Sequence, residues 1–427
     1  MLVSALLHNL QSLIDLFWVG RLGHTAIAGV AMGGTVITIL FPGIMGLSTG
    51  AVAVVARAVG AGRPAAAAAA AAQSIGMAFW LGLVMGGGSW LGVDPILRLL
   101  GSEGAVLQAG GAYLRISLLG SVSVFVLFVA NAALQGAGNT RTPMLIMAAA
   151  NILNIALDPL LIFGWGPLPP LGVAGAAVAT VTAQSLAAAM ALHVLCREGA
   201  ELHIRRESWR PDWPLIRRIV RIGIPGSGQM LSRSLMGAVI MRIVAASGTA
   251  AVAAYGAGMR FHMIILMPAF ALGGAAATLV GQNLGAGKPD RARRCAWLAA
   301  AIDVVFMVLS AVVMMFFAPD IMRFFNSEPD VVRIGAEYLR VVSPFYVFAA
   351  VGIVISRATQ GAGDTLVPMF ITILSLWGLQ VPLALWLTRV WQPPTLGIWT
   401  AMAIAFIVQG LLAALWFETG RWRRIRI

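Results

Sequence analysis

Charge is scarce in this sequence. Only 11% of its 427 residues are Asp, Glu, Lys or Arg, whereas a soluble domain carries about 25%. That is too little to cover a water-facing surface, and a soluble fold is excluded. Cysteine is scarcer still. Cys196 and Cys295 stand alone, so neither a disulfide framework nor a cysteine metal cluster is implied. The five histidines, His8, His24, His193, His203 and His262, share no metal-ligand spacing. Alternating segments of about ten residues, the mark of a membrane β-barrel, are missing. A membrane-embedded enzyme or sensor would need a catalytic constellation or a soluble domain, and neither is visible. Met1 leads straight into an apolar run without a basic n-region, so no cleavable signal peptide is read. That run is barely long enough to span, as expected of a chain whose start lies upstream or has been trimmed.

What is present is apolar. The chain is 59% hydrophobic with a mean hydropathy of +0.89. Its polar residues are bunched between apolar runs of about 20 residues, the length that crosses a hydrocarbon core of about 30 Å. The runs read as twelve spans, at 2–19, 26–57, 65–92, 105–134, 143–165, 172–195, 216–244, 249–281, 292–318, 331–356, 366–389 and 396–417. The longest exceed one bilayer thickness and call for tilt, for extension into water or, in the second, for a kink at Pro42. The predicted class is therefore an all-α polytopic membrane protein.

A net charge of +13 raises the question of nucleic acid. The basic residues, however, lie in short loops rather than on one face. Arg57, Arg63, Arg141, the segment 197–221, Lys288 to Arg294, Arg357 and Arg421 to Arg426 follow even-numbered spans. The opposite loops are poorer in them, which places both termini in the cytoplasm. No nucleic-acid partner is expected.

Two tempting motifs fail. Gly46-Leu47-Ser48-Thr49-Gly50 spells a nucleophile elbow but lies inside an apolar span. Gly285-Ala286-Gly287-Lys288-Pro289 has proline where a phosphate loop needs Ser or Thr after the lysine. That second motif instead repeats Gly60-Ala61-Gly62-Arg63-Pro64 at a shift of 225. Gln135-Gly136-Ala137-Gly138-Asn139-Thr140 returns at the same shift as Gln360-Gly361-Ala362-Gly363-Asp364-Thr365, and Gly23 and Gly33 match Gly248 and Gly258. Three matches in one register mean duplication. Each copy holds six spans, an even number, so the copies face the same way and are related by an axis along the membrane normal. The expected organisation is a six-helix lobe over 1–196 holding the cation site, an Arg-rich linker over 197–217, and a second lobe over 218–427.

A charge at mid-bilayer costs several kcal/mol, so each carboxylate within a span is a functional candidate. Three exist: Asp15, Asp158 and Asp303. Asp158 lies about 15 residues from the cytoplasmic start of its span, or about 23 Å at 1.5 Å per residue. Asp15, near the outer end of span one, and Thr180, about two turns into span six, reach a similar depth. Asn154 shares a helix face with Asp158 at i and i+4. These oxygens suit Na⁺. Equally, two neighbouring carboxylates in a low dielectric could share and carry a proton. The plain alternative is a polar cluster that glues helices together. For Asp303 that plainer role is expected, with Arg260 at similar depth as its ion-pair partner. In the second copy Ile240 stands where Asp15 would, and Trp377 and Val381 stand for Asn154 and Asp158 when Pro382 is aligned with Pro159. The acid site belongs to the first copy. His8, Ser12 and Asn151 are further polar residues expected to face the same cavity.

With these residues assembled, the chain resembles the multidrug and toxic compound extrusion (MATE) family over essentially its whole length. The resemblance rests on Ile14-Asp15-Leu16-Phe17-Trp18-Val19-Gly20-Arg21-Leu22-Gly23, on both pairs of repeated turns, on Asn154-Ile155-Ala156-Leu157-Asp158-Pro159, and on Gly172 through Thr180. It implies twelve helices in two lobes and coupling of export to inward H⁺ or Na⁺ by alternating access. The family's first-lobe cation site falls on Asp15, Asn154, Asp158 and Thr180. Lacking a second-lobe acid, the chain is more similar to the DinF-like prokaryotic branch than to the NorM-like one. It departs from many relatives in having His8 and Ser12 where they carry Gln and Asn. The implied function is an H⁺- or Na⁺-coupled antiporter exporting amphipathic or cationic organic compounds, with no enzymatic activity and no cofactor besides the coupling ion. Its implied setting is a bacterial or archaeal plasma membrane, with a monomeric chain, a small organic substrate and the bilayer as partners. The alternative is a flippase for lipids or lipid-linked oligosaccharides, which predicts an Arg-lined cavity for phosphates.

Overall fold

The computed structural model describes residues 14–15, 17–164, 169–199 and 202–425. Among them no strand occurs. Residues 14–15 and 17–20 are helical. They precede α1 (His24–Gly60), α2 (Pro64–Leu99), α3 (Gly104–Leu119), α4 (Ser121–Ala137), α5 (Arg141–Phe163) and α6 (Val173–Cys196). After a 3₁₀ turn at Arg206–Trp209 come α7 (Trp213–Ala245), α8 (Thr249–Gly285), α9 (Pro289–Phe325), α10 (Pro329–Val342) and α11 (Tyr346–Gly361). Next, α12 (Leu366–Ile373) and α13 (Val381–Val390) are joined by π-helical residues Leu374–Gln380, and α14 (Pro394–Glu418) closes the series.

Nine helical stretches among the described residues are long and apolar enough to cross a membrane, and the pair α3–α4 makes a tenth. Of the twelve expected spans, two stand apart. The seventh corresponds to α7, which carries Arg217, Arg218, Arg221, Arg233 and Arg242 and is not among the ten. The first lies largely outside the described residues. The fourth differs in shape: it is bent by 48° between Leu119 and Ser121. The break falls at a Gly120–Ser121 pair, a common cause of sharp kinks. The single Ser121 hydroxyl hydrogen is shared between the carbonyls of Gly82 at 2.9 Å and Leu118 at 2.6 Å, holding the bend against α2. By contrast α1 is a single helix that includes Pro42.

The repeated turns have a common physics. Gly62 and Gly287 have φ of 68° and 70°, Gly138 and Gly363 have 100° and 94°, and Gly23 and Gly248 both have 102°. Only glycine visits this region without a Cβ penalty. After each of the first four, the next residue's N–H reaches back to the helix: Arg63 to Ala58 O, Lys288 to Asn283 O, Asn139 to Leu134 O and Asp364 to Thr359 O. That is the glycine-terminated helix end, in which a left-handed residue lets an amide satisfy an orphan carbonyl. Asn139 and Asp364 then accept from the N–H three residues on, at 3.0 and 3.3 Å, and start the next helix.

The chain divides into two compact units, Met1–Ser227 and Gly228–Ile427. The division falls within α7, about ten residues beyond the expected start of the second lobe. The first part of α7 belongs with the first unit because glycines let it lie against α1. A Cβ on Gly50 would stand 2.6 Å from Ile219 O, and one on Gly46 would stand 2.6 Å from Ser227 N. The glycines of the apparent nucleophile elbow are therefore packing residues. In the first unit α2 packs on α3, α4 and α1, while α6 packs on α5, α4 and α3. In the second, α8 packs on α9, α11 and α10, and α14 on α11, α13 and α10.

Candidate functional site

An apolar cluster in the first unit brings the acids together. Val19, Ile162 and Ala176, each 1–2% exposed, pack with Ala26 between the helical residues 17–20, α5 and α6. One turn from each, at i±4, stands a polar residue: Asp15 before Val19, Asp158 before Ile162 and Thr180 after Ala176. Side chains four apart share a helix face, so packing the three apolar residues also gathers the three polar ones. Gly175 permits the close α5–α6 approach, since a Cβ there would stand within 2.6 Å of the Leu161 carbonyl carbon. The chain between these helices is tied back by Leu171 N–H to Leu161 O and Gly172 N–H to Ile162 O, both 3.0 Å.

The resulting site is a connected set. Asn154 Nδ2 donates to Asp158 Oδ1 at 3.3 Å and to Thr180 Oγ1 at 3.4 Å, and the Thr180 hydroxyl donates to Asp15 Oδ2 at 3.5 Å. The Asp15 and Asp158 carboxyls lie within range of one another's charge. Asn154 and Asp158 are fully buried. Three oxygens in the cluster, Asp15 Oδ1, Asn154 Oδ1 and Asp158 Oδ2, are buried without a hydrogen-bond donor. Buried polar atoms are nearly always paired, so three acceptors together mark a place that lacks positive charge. Asn151 is buried three residues before Asn154 on α5. His8 and Ser12 lie outside the described residues.

One member was missed in the sequence. Tyr113 on α3 lies within range of both the Asp15 and Asp158 charges and bonds to Ser117. Its ring occupies the space left by Gly33, where a Cβ would meet Tyr113 Cδ1 at 2.8 Å. A signal existed: Tyr113 and Tyr338 are 225 apart, in the register of Gly33 and Gly258, and a Cβ on Gly258 would likewise meet the Tyr338 ring at 2.5 Å.

The expected Asp303–Arg260 ion pair does not form. Asp303 is fully buried on α9 and both of its oxygens lack a partner, while Arg260 is exposed on α8. Equal depth along two helices leaves rotation undetermined. Here Asp303 faces inward between Ala299 and Ala300 on one side and Met307 on the other, each part of an apolar cluster.

The MatE family profile matches residues 1–160 and 225–386. The chain belongs to the MatE family. The "Probable multidrug resistance protein NorM" of Thermotoga maritima is 29% identical over 98% of this chain and 90% of its own. The "FAD transporter" of Shewanella oneidensis is 30% identical over 87% of this chain and 82% of its own. Among solved structures, "MATE in the bent conformation" superposes with a TM-score of 0.92 at 24% identity, covering 98% of this chain and 93% of that one. This MatE protein therefore has the twelve-helix, two-lobe MATE fold and is a multi-pass membrane transporter.

Proposed function

We propose that this MatE protein is an H⁺- or Na⁺-coupled antiporter that exports amphipathic or cationic organic compounds by alternating access. The observation that carries the reading is the acid cluster, in which three buried acceptor oxygens on Asp15, Asn154 and Asp158 converge without donors. A proton shared between the carboxyls, or a sodium ion held by these oxygens and Thr180, would neutralise it. Loading from outside favours release of cargo, and discharge inside resets the cycle. The placement of arginines supports a plasma-membrane location with both termini cytoplasmic. Multidrug resistance is the name given to several relatives, and FAD, the cargo named for another, widens the organic range to phosphate-bearing molecules.

The test is dye efflux from proteoliposomes with a proton gradient and a sodium gradient imposed separately. Efflux driven by one gradient and abolished in Asp15→Asn and Asp158→Asn is the expected result. A variant that still exports under either gradient would sink the coupling role. No efflux under either gradient, with lipid translocation in its place, would establish the flippase alternative.

A further inference from the structure

In the second unit Arg233 on α7 and Arg357 on α11 lie close enough for their charges to repel. Both are half-buried, and no hydrogen bond or ion pair reaches either guanidinium among the described residues. Arg357, counted from sequence among the loop cations, lies inside α11, four residues before its end, and Arg233 lies inside α7. A charge within such a helix is costly, and such residues normally pair or mark a pathway. No carboxylate of this unit offers itself. Asp364 accepts from Trp416, Glu337 from Thr395, Glu418 from Arg293, Asp290 from Arg423, Asp320 from Arg323 and Asp330 from Arg333. Glu328 is exposed, and Asp303 is sealed among apolar residues.

The arrangement is braced rather than incidental. Gln229, one turn before Arg233, and Gln360, nearly one turn after Arg357, hydrogen-bond each other at 2.5 Å. Each arginine thus stands about one turn from that bond along its own helix, within range of the other's charge. Gln229 is also tied to Thr372 at 2.8 Å and to the Pro368 carbonyl at 3.1 Å, and Gln409 donates to Thr372 at 3.2 Å. Gly273 on α8 makes room for the Arg357 stem, since a Cβ there would stand 3.0 Å from Arg357 Cγ. On the remaining side His262 lies within range of Arg233, with its ring bonded to the Tyr346 hydroxyl at 3.0 Å and stacked on Phe406.

We propose that Arg233 and Arg357 form an anion-binding site in the second unit that takes the phosphate or carboxylate of an amphipathic substrate. Two guanidiniums present several N–H donors in a fork that matches such groups, and the neighbouring rings of His262 and Phe406 supply an aromatic wall. The inference deepens the transport reading, on which it rests for the word substrate. Paired arginines are also what the flippase alternative predicts, so the cargo and not the site separates those two. The exported molecule then carries negative charge where the second unit holds it, whatever its charge elsewhere.

Flavin mononucleotide and riboflavin share one ring system and differ by a phosphate. Their binding to the purified full chain in phosphatidylcholine nanodiscs, followed by flavin fluorescence, tests the site. Flavin mononucleotide is expected to bind about tenfold tighter than riboflavin, a typical contribution of charge-assisted hydrogen bonds. Arg233→Gln and Arg357→Gln should each remove that advantage and leave riboflavin unchanged, which also shows that the variants are folded. Arg357→Lys should retain part of it. No binding of flavin mononucleotide, or equal affinity in wild type and Arg233→Gln, overturns the proposal. Repeating the measurement with phosphatidylglycerol added separates sources: competition identifies a lipid headgroup as an occupant, and its absence a soluble anion. Ethidium efflux from the same preparations separates the two readings. Efflux without phosphate discrimination removes the anion site alone. Discrimination lost in the variants, with no efflux under any gradient, keeps the site and removes the exporter.

Discussion

The two units carry the same joints around opposite interiors. Tyr113 in the first and Tyr338 in the second sit in equivalent glycine-made spaces, opposite Gly33 and Gly258. The first ring lies within range of Asp15 and Asp158. The second is fully buried against Tyr255 and Trp399, with centroids 5.9 and 4.8 Å away. The counterparts of the acid cluster carry no acid. Ile240 is 1% exposed within an apolar cluster, and Trp377 and Val381 pack against it. Besides the lone acid Asp303, which is buried among apolar residues, the unpaired charge of the second unit lies elsewhere, on Arg233 and Arg357. Turn geometry and helix approach tolerate little change, because a left-handed residue or a Cβ-free contact accepts almost nothing but glycine. Interior side chains that meet only one another are free to diverge as a set.

The strongest challenge to that contrast is Ile240→Asp, which puts the first unit's acid into the second. Set within that largely apolar cluster, the carboxyl should cost about 3 kcal/mol, read as a marked fall in thermal stability of the purified protein. An unchanged melting temperature would mean that this region is not dry. Next comes a paired measurement on equivalent glycines. A Cβ on Gly361 would stand 2.5 Å from the Ala277 Cα, whereas one on Gly136 would meet Val52 O at 3.1 Å. Gly361→Ala should therefore destabilise by about 2–3 kcal/mol and Gly136→Ala by about 1 kcal/mol, the range seen for overpacking; equal losses would show that the two joints are equally tight. Within the acid cluster, Thr180→Val removes the hydroxyl between Asn154 and Asp15. The loss of about 1 kcal/mol for one such bond should weaken the apparent affinity for the coupling ion about fivefold in gradient-driven efflux. The smallest effect belongs to the pair that does not form. A double-mutant cycle of Arg260→Ala with Asp303→Asn should give a stability coupling within about 0.3 kcal/mol, and a larger value would restore the ion pair.

Much of this protein was legible before folding. The repeat register located four helix ends, and rise per residue set Asp15, Asp158 and Thr180 at one level, because turn chemistry and rise per residue are local properties. Tyr113 stood in the same register and was overlooked because a lone tyrosine in an apolar span has no polar company in sequence. The Asp303–Arg260 expectation failed for a related reason. Distance along an axis is additive, but the direction in which a side chain points depends on how its helix is rotated against its neighbours. The bend at Gly120 was likewise unread, since it depends on contacts outside its own helix.

The sequence by itself determined the all-helical membrane class, the duplication, the glycine-closed turns and the restriction of paired acids to the first copy, since hydropathy, spacing and composition are enough to specify these. Only the tertiary structure decided that Val19, Ile162 and Ala176 pack together and carry Asp15, Asp158 and Thr180 with them, that Tyr113 joins them, and that Arg233 meets Arg357 instead of an acid. Those outcomes depend on the rotation and close approach of helices far apart in the chain, and burial of apolar faces chooses them only when all the helices are in place.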